Sequence, residues 1–145
     1  MTQAVRTSSA TPDLRPVLWT APLAGVLSAL VNAFIWFGLR GAFTGVRVGP
    51  PGEEVPFWPG AVVVFSLIGA LAAGVVYALI VRFVTTPNRV FSWVAVVVLL
   101  ASFVTPLSIR NPPVAVVAGL ELMHVVVFAF VLWLVPRRRA SVDQG

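Results

Sequence analysis

Four apolar runs, each about as long as a bilayer is thick, constrain this chain more than any other feature. They extend from about Val17 to Leu39, Pro59 to Val81, Val90 to Ile109 and Val114 to Val135, and the first three carry no charged residue. At ~1.5 Å of rise per residue, about 20 apolar residues cross a ~30 Å hydrocarbon core. Backbone polar groups find no water there, so each run must satisfy its own hydrogen bonds and forms a helix. The valine triplets at 62–64, 96–98 and 125–127 do not change this. A membrane barrel would need strands of ~10 residues with strict alternation.

Composition agrees. Hydrophobic residues make up 59% of the 145 residues and charged ones 10%, with a mean hydropathy of +0.97. Soluble domains carry about 25% charged residues. There is no Cys, which excludes disulfide scaffolds and thiolate metal sites, and His124 is the lone histidine, so no multi-histidine metal centre is expected from one chain. No nucleophile–base pair or phosphate-binding glycine loop is present. The reading is therefore non-enzymatic, with no catalytic residues, no metal and no cofactor. The net charge of +5 comes from arginines scattered at segment ends, which does not resemble a nucleic-acid-binding face.

The expected fold class is an all-α membrane protein, a bundle of four transmembrane helices in a single domain over residues 17–136. Residues 1–16 form a polar tail, 40–58 an outer loop and 137–145 a basic tail. A cleaved signal peptide is disfavoured, because the polar leader is long and no small-residue cleavage pattern follows a short apolar core. Prolines punctuate the plan. Pro16 and Pro22 flank the start of the first run, Pro59 opens the second, Pro106 lies near the end of the third, Pro112 and Pro113 precede the fourth, and Pro136 closes it. None falls in the middle of a run, where proline would remove a backbone hydrogen bond.

Arginine counts set the orientation. Arg6, Arg15, Arg82, Arg89, Arg137, Arg138 and Arg139 fall on one side, and Arg40, Arg47 and Arg110 on the other. The positive-inside rule puts both termini in the cytoplasm and the first loop outside. Arg137-Arg138-Arg139 is expected to anchor anionic headgroups. Trp19, Trp36, Trp58, Trp93 and Trp133, all near run ends, form the expected interfacial belt.

Helices in lipid pack through small residues. Ala21, Gly25, Ala29 and Ala33 form a stripe on the first helix, and Ser66, Ala70, Gly74 and Ala78 one on the second. These stripes predict tight antiparallel contact.

The chemistry-bearing residues lie in the fourth run. Glu121 and His124 are three residues apart and share a helix face. A carboxylate at such depth costs ~2.5–3.5 kcal/mol on insertion scales, so Glu121 is expected to face the bundle interior or a wet cavity. Counting from the loop side puts Asn32, Ser66, Ser102 and Glu121 at one depth, with Ser28 and His124 a turn deeper. That layer is either interhelical glue or a ligand- or proton-binding site. The Glu-x-x-His spacing resembles half of a di-metal carboxylate site, but one chain lacks the other half. The loop residues Phe57 and Trp58, beside Gly49-Pro50-Pro51-Gly52, are read as a connector or a lid.

The chain resembles a family of small actinobacterial integral membrane proteins catalogued only as a domain of unknown function. The resemblance lies in Leu18-Trp19-Thr20-Ala21-Pro22-Leu23-Ala24-Gly25, Val31-Asn32-Ala33, Pro51-Gly52-Glu53, Arg89-Val90-Phe91 and Leu122-Met123-His124. It implies four helices and no assigned activity. It also marks Asn32 and His124, whereas Glu121 departs from the pattern. The functional expectation is a small binding or accessory membrane subunit with an interhelical polar pocket, paired with a membrane partner or with copies of itself. The alternative is a small oligomeric transporter or channel using Glu121 as the proton- or cation-coupling residue.

Overall fold

The computed structural model describes residues 14–49, 52–107, 109 and 112–136. The two terminal tails, with Arg137, Arg138 and Arg139, and the loop residues Pro50, Pro51, Ser108, Arg110 and Asn111 lie outside them. Helix α1 spans Arg15–Gly38 and is followed by a single turn, α2, at Arg40–Phe43. Strands β1 (Arg47–Val48) and β2 (Val55–Pro56) pair antiparallel, Arg47 opposite Pro56. Then come α3 (Pro59–Phe83), α4 (Pro87–Ser102), the short α5 (Val104–Leu107) and α6 (Val114–Leu134). Four helical segments are long and apolar enough to cross a membrane: Arg15–Gly38, Pro59–Phe83, Pro87–Pro106 and Val114–Leu134. Their outward faces carry Trp19, Phe34, Phe65, Phe83 and Val97 in the open. A soluble monomer rarely shows so continuous an apolar surface; facing lipid, it carries no penalty.

Proline sets most helix ends. Pro59 and Pro87 are the first residues of α3 and α4, where the missing N–H would have had no partner anyway. Two prolines lie within helical segments, toward the ends of their spans. Pro22 sits inside α1, so its ring leaves the Leu18 carbonyl without the usual helical donor. The position is within two turns of the helix start, and flanking turns carry the helix through. Pro106 lies in α5; it cannot donate to the carbonyl of Ser102, four residues back, and α4 ends at that residue.

The core is built on α1, which packs most extensively against α3 and next against α6. The α1–α3 contact is antiparallel and very close. A Cβ on Gly74 would stand 2.5 Å from the Ala21 Cβ, and one on Gly25 would stand 3.2 Å from the Leu67 Cα and 3.3 Å from the Ala70 Cβ. The small-residue stripes therefore meet each other, as their spacing predicted. Two apolar clusters result. One joins Val17, Ala21, Ala24, Ala70, Tyr77, Phe91, Val131 and Val135 at the end of the termini. The other joins Phe43, Val46, Val62, Val116 and Met123 at the end of the first loop.

The first loop is more ordered than a plain connector. Phe43 is buried, and Gly119 of α6 makes room for it: a Cβ there would lie 2.8 Å from Leu39 Cδ1 and 3.2 Å from Phe43 Cζ. Phe43 also stacks on Trp36 (centroids 6.4 Å apart) and tilts against Phe57 at 5.3 Å. The Phe57 N–H donates to the Val46 carbonyl at 2.9 Å, and the Arg47 guanidinium donates to the Glu54 carbonyl. Gly49, at φ +133, holds a backbone conformation that a side chain would strain. Trp19, Trp58, Trp93 and Trp133 stand open, whereas Trp36 is partly buried under the loop.

Candidate functional site

Between the two apolar clusters lies a polar junction. Asn32 of α1 is 1% exposed and Ser66 of α3 is 4% exposed. The Asn32 amide nitrogen donates to Ser66 Oγ at 3.0 Å and to the Met123 carbonyl of α6 at 3.2 Å. The orientation of the amide is forced, since a backbone carbonyl only accepts. One side chain therefore ties three helices. Its own oxygen, Oδ1, is buried without a partner among the described residues; so is Nε1 of Trp36, one turn further along α1. An acceptor and a donor are thereby left unpaired along one helix stripe.

The other residues of the expected layer do not join this junction. Ser28 is fully buried, but its hydroxyl returns to its own helix, donating to the Ala24 carbonyl at 2.7 Å. Ser102 likewise donates to Leu99, at 2.7 Å. His124 is half-buried, with Nδ1 2.7 Å from the Leu120 carbonyl. The carbonyl only accepts, so Nδ1 carries the hydrogen and Nε2 presents either a lone pair or, in the cation, a second N–H.

Glu121 also stands apart from this junction. The residues that α6 buries are Val116, Gly119, Met123 and Val131. Glu121 is two positions from both Gly119 and Met123, which puts it about 160° round the helix from each. It is half-buried and does not face α1. The reason is helical periodicity. A helix presents one stripe to a neighbour, and Gly119 with Met123 wins that place: glycine admits Leu39 and Phe43, and the Met123 carbonyl receives Asn32. Glu121 is therefore turned away from the junction with α1 and stays half-buried.

A cleft of about 430 Å³ opens at the loop end, lined by Trp36, Arg40, Phe43, Thr44, Val46 and Phe57 among others. Its lining combines the aromatic residues Trp36, Phe43 and Phe57 with one cation, Arg40. Sequence reasoning named Phe57 here as a lid residue but missed Phe43 and Arg40. Arg40 opens α2 only four residues after Trp36 in the last turn of α1, and that closeness in sequence was a usable signal. A second unforeseen contact is at the opposite end, where the Tyr77 hydroxyl donates to Asn88 Oδ1 at 2.7 Å and its ring meets Phe91 edge-on at 5.1 Å. This pairs α3 with α4 just beside their short link.

Residues 12–141 match the model of a family described as "Family of unknown function (DUF6069)". The chain belongs to that family. No curated protein and no solved structure matches it. Membership spans all four long helices, the first loop, the polar junction and the cleft.

Proposed function

We propose that this member of the DUF6069 family is a small non-enzymatic binding or accessory subunit of the cell membrane. It is a four-helix bundle with both termini in the cytoplasm. Its cleft at the outer end takes an anionic amphiphile, a lipid or a lipid-like molecule. The observation that carries the reading is the cleft lining: Trp36, Phe43, Val46 and Phe57 offer an apolar bed, and Arg40 a fixed positive charge. It lies just past the end of α1, where a membrane helix meets headgroups and arginine pairs with phosphate oxygens. The arginine asymmetry supports the orientation. The polar junction serves as glue in this reading, since interhelical hydrogen bonds average about 0.6 kcal/mol in membrane proteins and Asn32 makes two of them.

The test is native mass spectrometry of the full chain released from nanodiscs containing phosphatidylglycerol and phosphatidylcholine. The expected result is selective retention of phosphatidylglycerol by the wild type. Arg40→Gln and Phe57→Ala should each lower it several-fold. Equal retention by all three proteins would overturn the proposal, because the arginines of the C-terminal tail would then explain any anionic lipid bound.

A second reading, a small oligomeric transporter or channel, draws support from Glu121, a half-buried acid within a candidate membrane span. It predicts a pH-dependent flux in proteoliposomes that Glu121→Gln abolishes. Flux that survives the substitution unchanged would remove it.

A further inference from the structure

Three buried side-chain atoms among the described residues lack a hydrogen-bond partner: Thr20 Oγ1, Asn32 Oδ1 and Trp36 Nε1. All three belong to α1. Thr20 stands apart, about 18 Å along the helix from Asn32 at ~1.5 Å per residue. Asn32 and Trp36 are one turn apart, and their atoms are complementary: the amide oxygen only accepts, and the indole nitrogen only donates. Neither residue can relieve the shortfall alone. The Asn32 amide cannot turn over, because its nitrogen is held by the Met123 carbonyl. The indole has no second polar atom, and the cluster against which Trp36 packs is apolar: Phe43, Val46, Val62, Val116 and Met123. That cluster adjoins the polar junction. Val62 is one turn before Ser66 on α3, and Ser66 and the Met123 carbonyl are the two groups that Asn32 binds.

A donor and an acceptor left unpaired away from solvent each carry a desolvation penalty. Protein interiors satisfy such groups with ordered water where side chains and backbone do not. We infer that one buried water molecule binds between Asn32 and Trp36. It accepts a hydrogen bond from Trp36 Nε1 and donates one to Asn32 Oδ1. Side chains one turn apart on a helix are neighbours, so a single water spans them where no direct bond is made. The bridge ties Trp36, a wall of the cleft, to the junction that joins α1, α3 and α6. Asn32 thereby acts as a positioning residue for the indole. The inference rests on the two buried atoms and not on what the cleft takes.

The test is nuclear magnetic resonance of the full chain in phosphatidylcholine nanodiscs, with isotope-labelled indole nitrogens. The chain has five tryptophans, and the signal lost in Trp36→Phe is that of Trp36. Its indole proton is expected to show a cross-peak at the water frequency with the sign of dipolar contact to a bound water. Asn32→Leu, close in shape but without the acceptor, should abolish that cross-peak and move the indole proton upfield. Asn32→Asp, which keeps an oxygen in place, should retain it. The inference is overturned if the wild-type indole proton has no cross-peak to water. It is also overturned if the cross-peak has the sign of exchange with bulk solvent, or if it survives Asn32→Leu at full strength. The wild-type spectrum decides by itself should Asn32→Leu fail to fold.

Discussion

The close α1–α3 contact makes a quantitative prediction. Gly74→Ala introduces a methyl group that would stand 2.5 Å from the Ala21 Cβ. Carbon atoms in ordinary contact sit ~3.5–4.0 Å apart, so α1 and α3 must part locally by about 1–1.5 Å. Neither clashing atom is the end of a flexible side chain; both are fixed to helix backbone. Parting the helices also loosens the adjoining Gly25–Leu67 contact and lengthens the Asn32–Ser66 bond. Overpacking of this kind costs ~1–3 kcal/mol, and about 2 kcal/mol is expected here. Ala21→Gly alone should cost about 1 kcal/mol through lost helix preference and packing. The double variant merely moves the methyl from one helix to the other, so it should return to within about 1 kcal/mol of wild type. The coupling between the sites is then about 2 kcal/mol, and a double-mutant cycle measures it. The assay is reversible unfolding in mixed micelles titrated with SDS, followed by intrinsic fluorescence. A Gly74→Ala protein as stable as wild type, or a double variant less stable than Gly74→Ala alone, would refute the reasoning.

Two further outcomes are expected. Asn32→Ala should destabilise the protein by ~1–3 kcal/mol in the same assay, since it removes the bonds to Ser66 and Met123; Ser28→Ala, whose hydroxyl bonds only within its own helix, should cost less than about 1 kcal/mol. Gly119→Val should expel Leu39 and Phe43 from their seat on α6, and limited proteolysis should then cut the first loop faster while the long helices stay protected; an unchanged cleavage rate would count against that docking.

The parts of this structure legible in the sequence were those set by a strong single constraint. Hydrocarbon thickness fixed the four long helices, and proline chemistry fixed most of their ends. Small residues at every fourth position on two consecutive helices sufficed to pair the two stripes, though not to set the register that puts Ala21 on Gly74 and Gly25 on Ala70. Asn32 and Ser66 were matched by depth alone, and they do meet. Depth is only one coordinate, however. Ser28, Ser102 and His124 share or nearly share that depth, yet each bonds within its own helix, because a hydroxyl or imidazole has a carbonyl three or four residues back within reach. Glu121 is set apart from Asn32 by rotation. Which face α6 turns inward was decided by Gly119, a residue that carries no side chain to read. The first loop hid its order for a similar reason: its anchor, Phe43, gains meaning only when Trp36, Phe57 and Gly119 are brought around it from three other segments.

The central claim is a membrane protein with its loop cleft outside and its termini inside, and one labelling experiment tests it most directly. Single cysteines at Glu53 in the first loop and at Thr86 between α3 and α4 are probed in intact cells with a membrane-impermeant maleimide. The account predicts that Glu53→Cys labels at once and that Thr86→Cys labels only after the membrane is permeabilised. The reverse pattern, or equal labelling of both sites in intact cells, would contradict it.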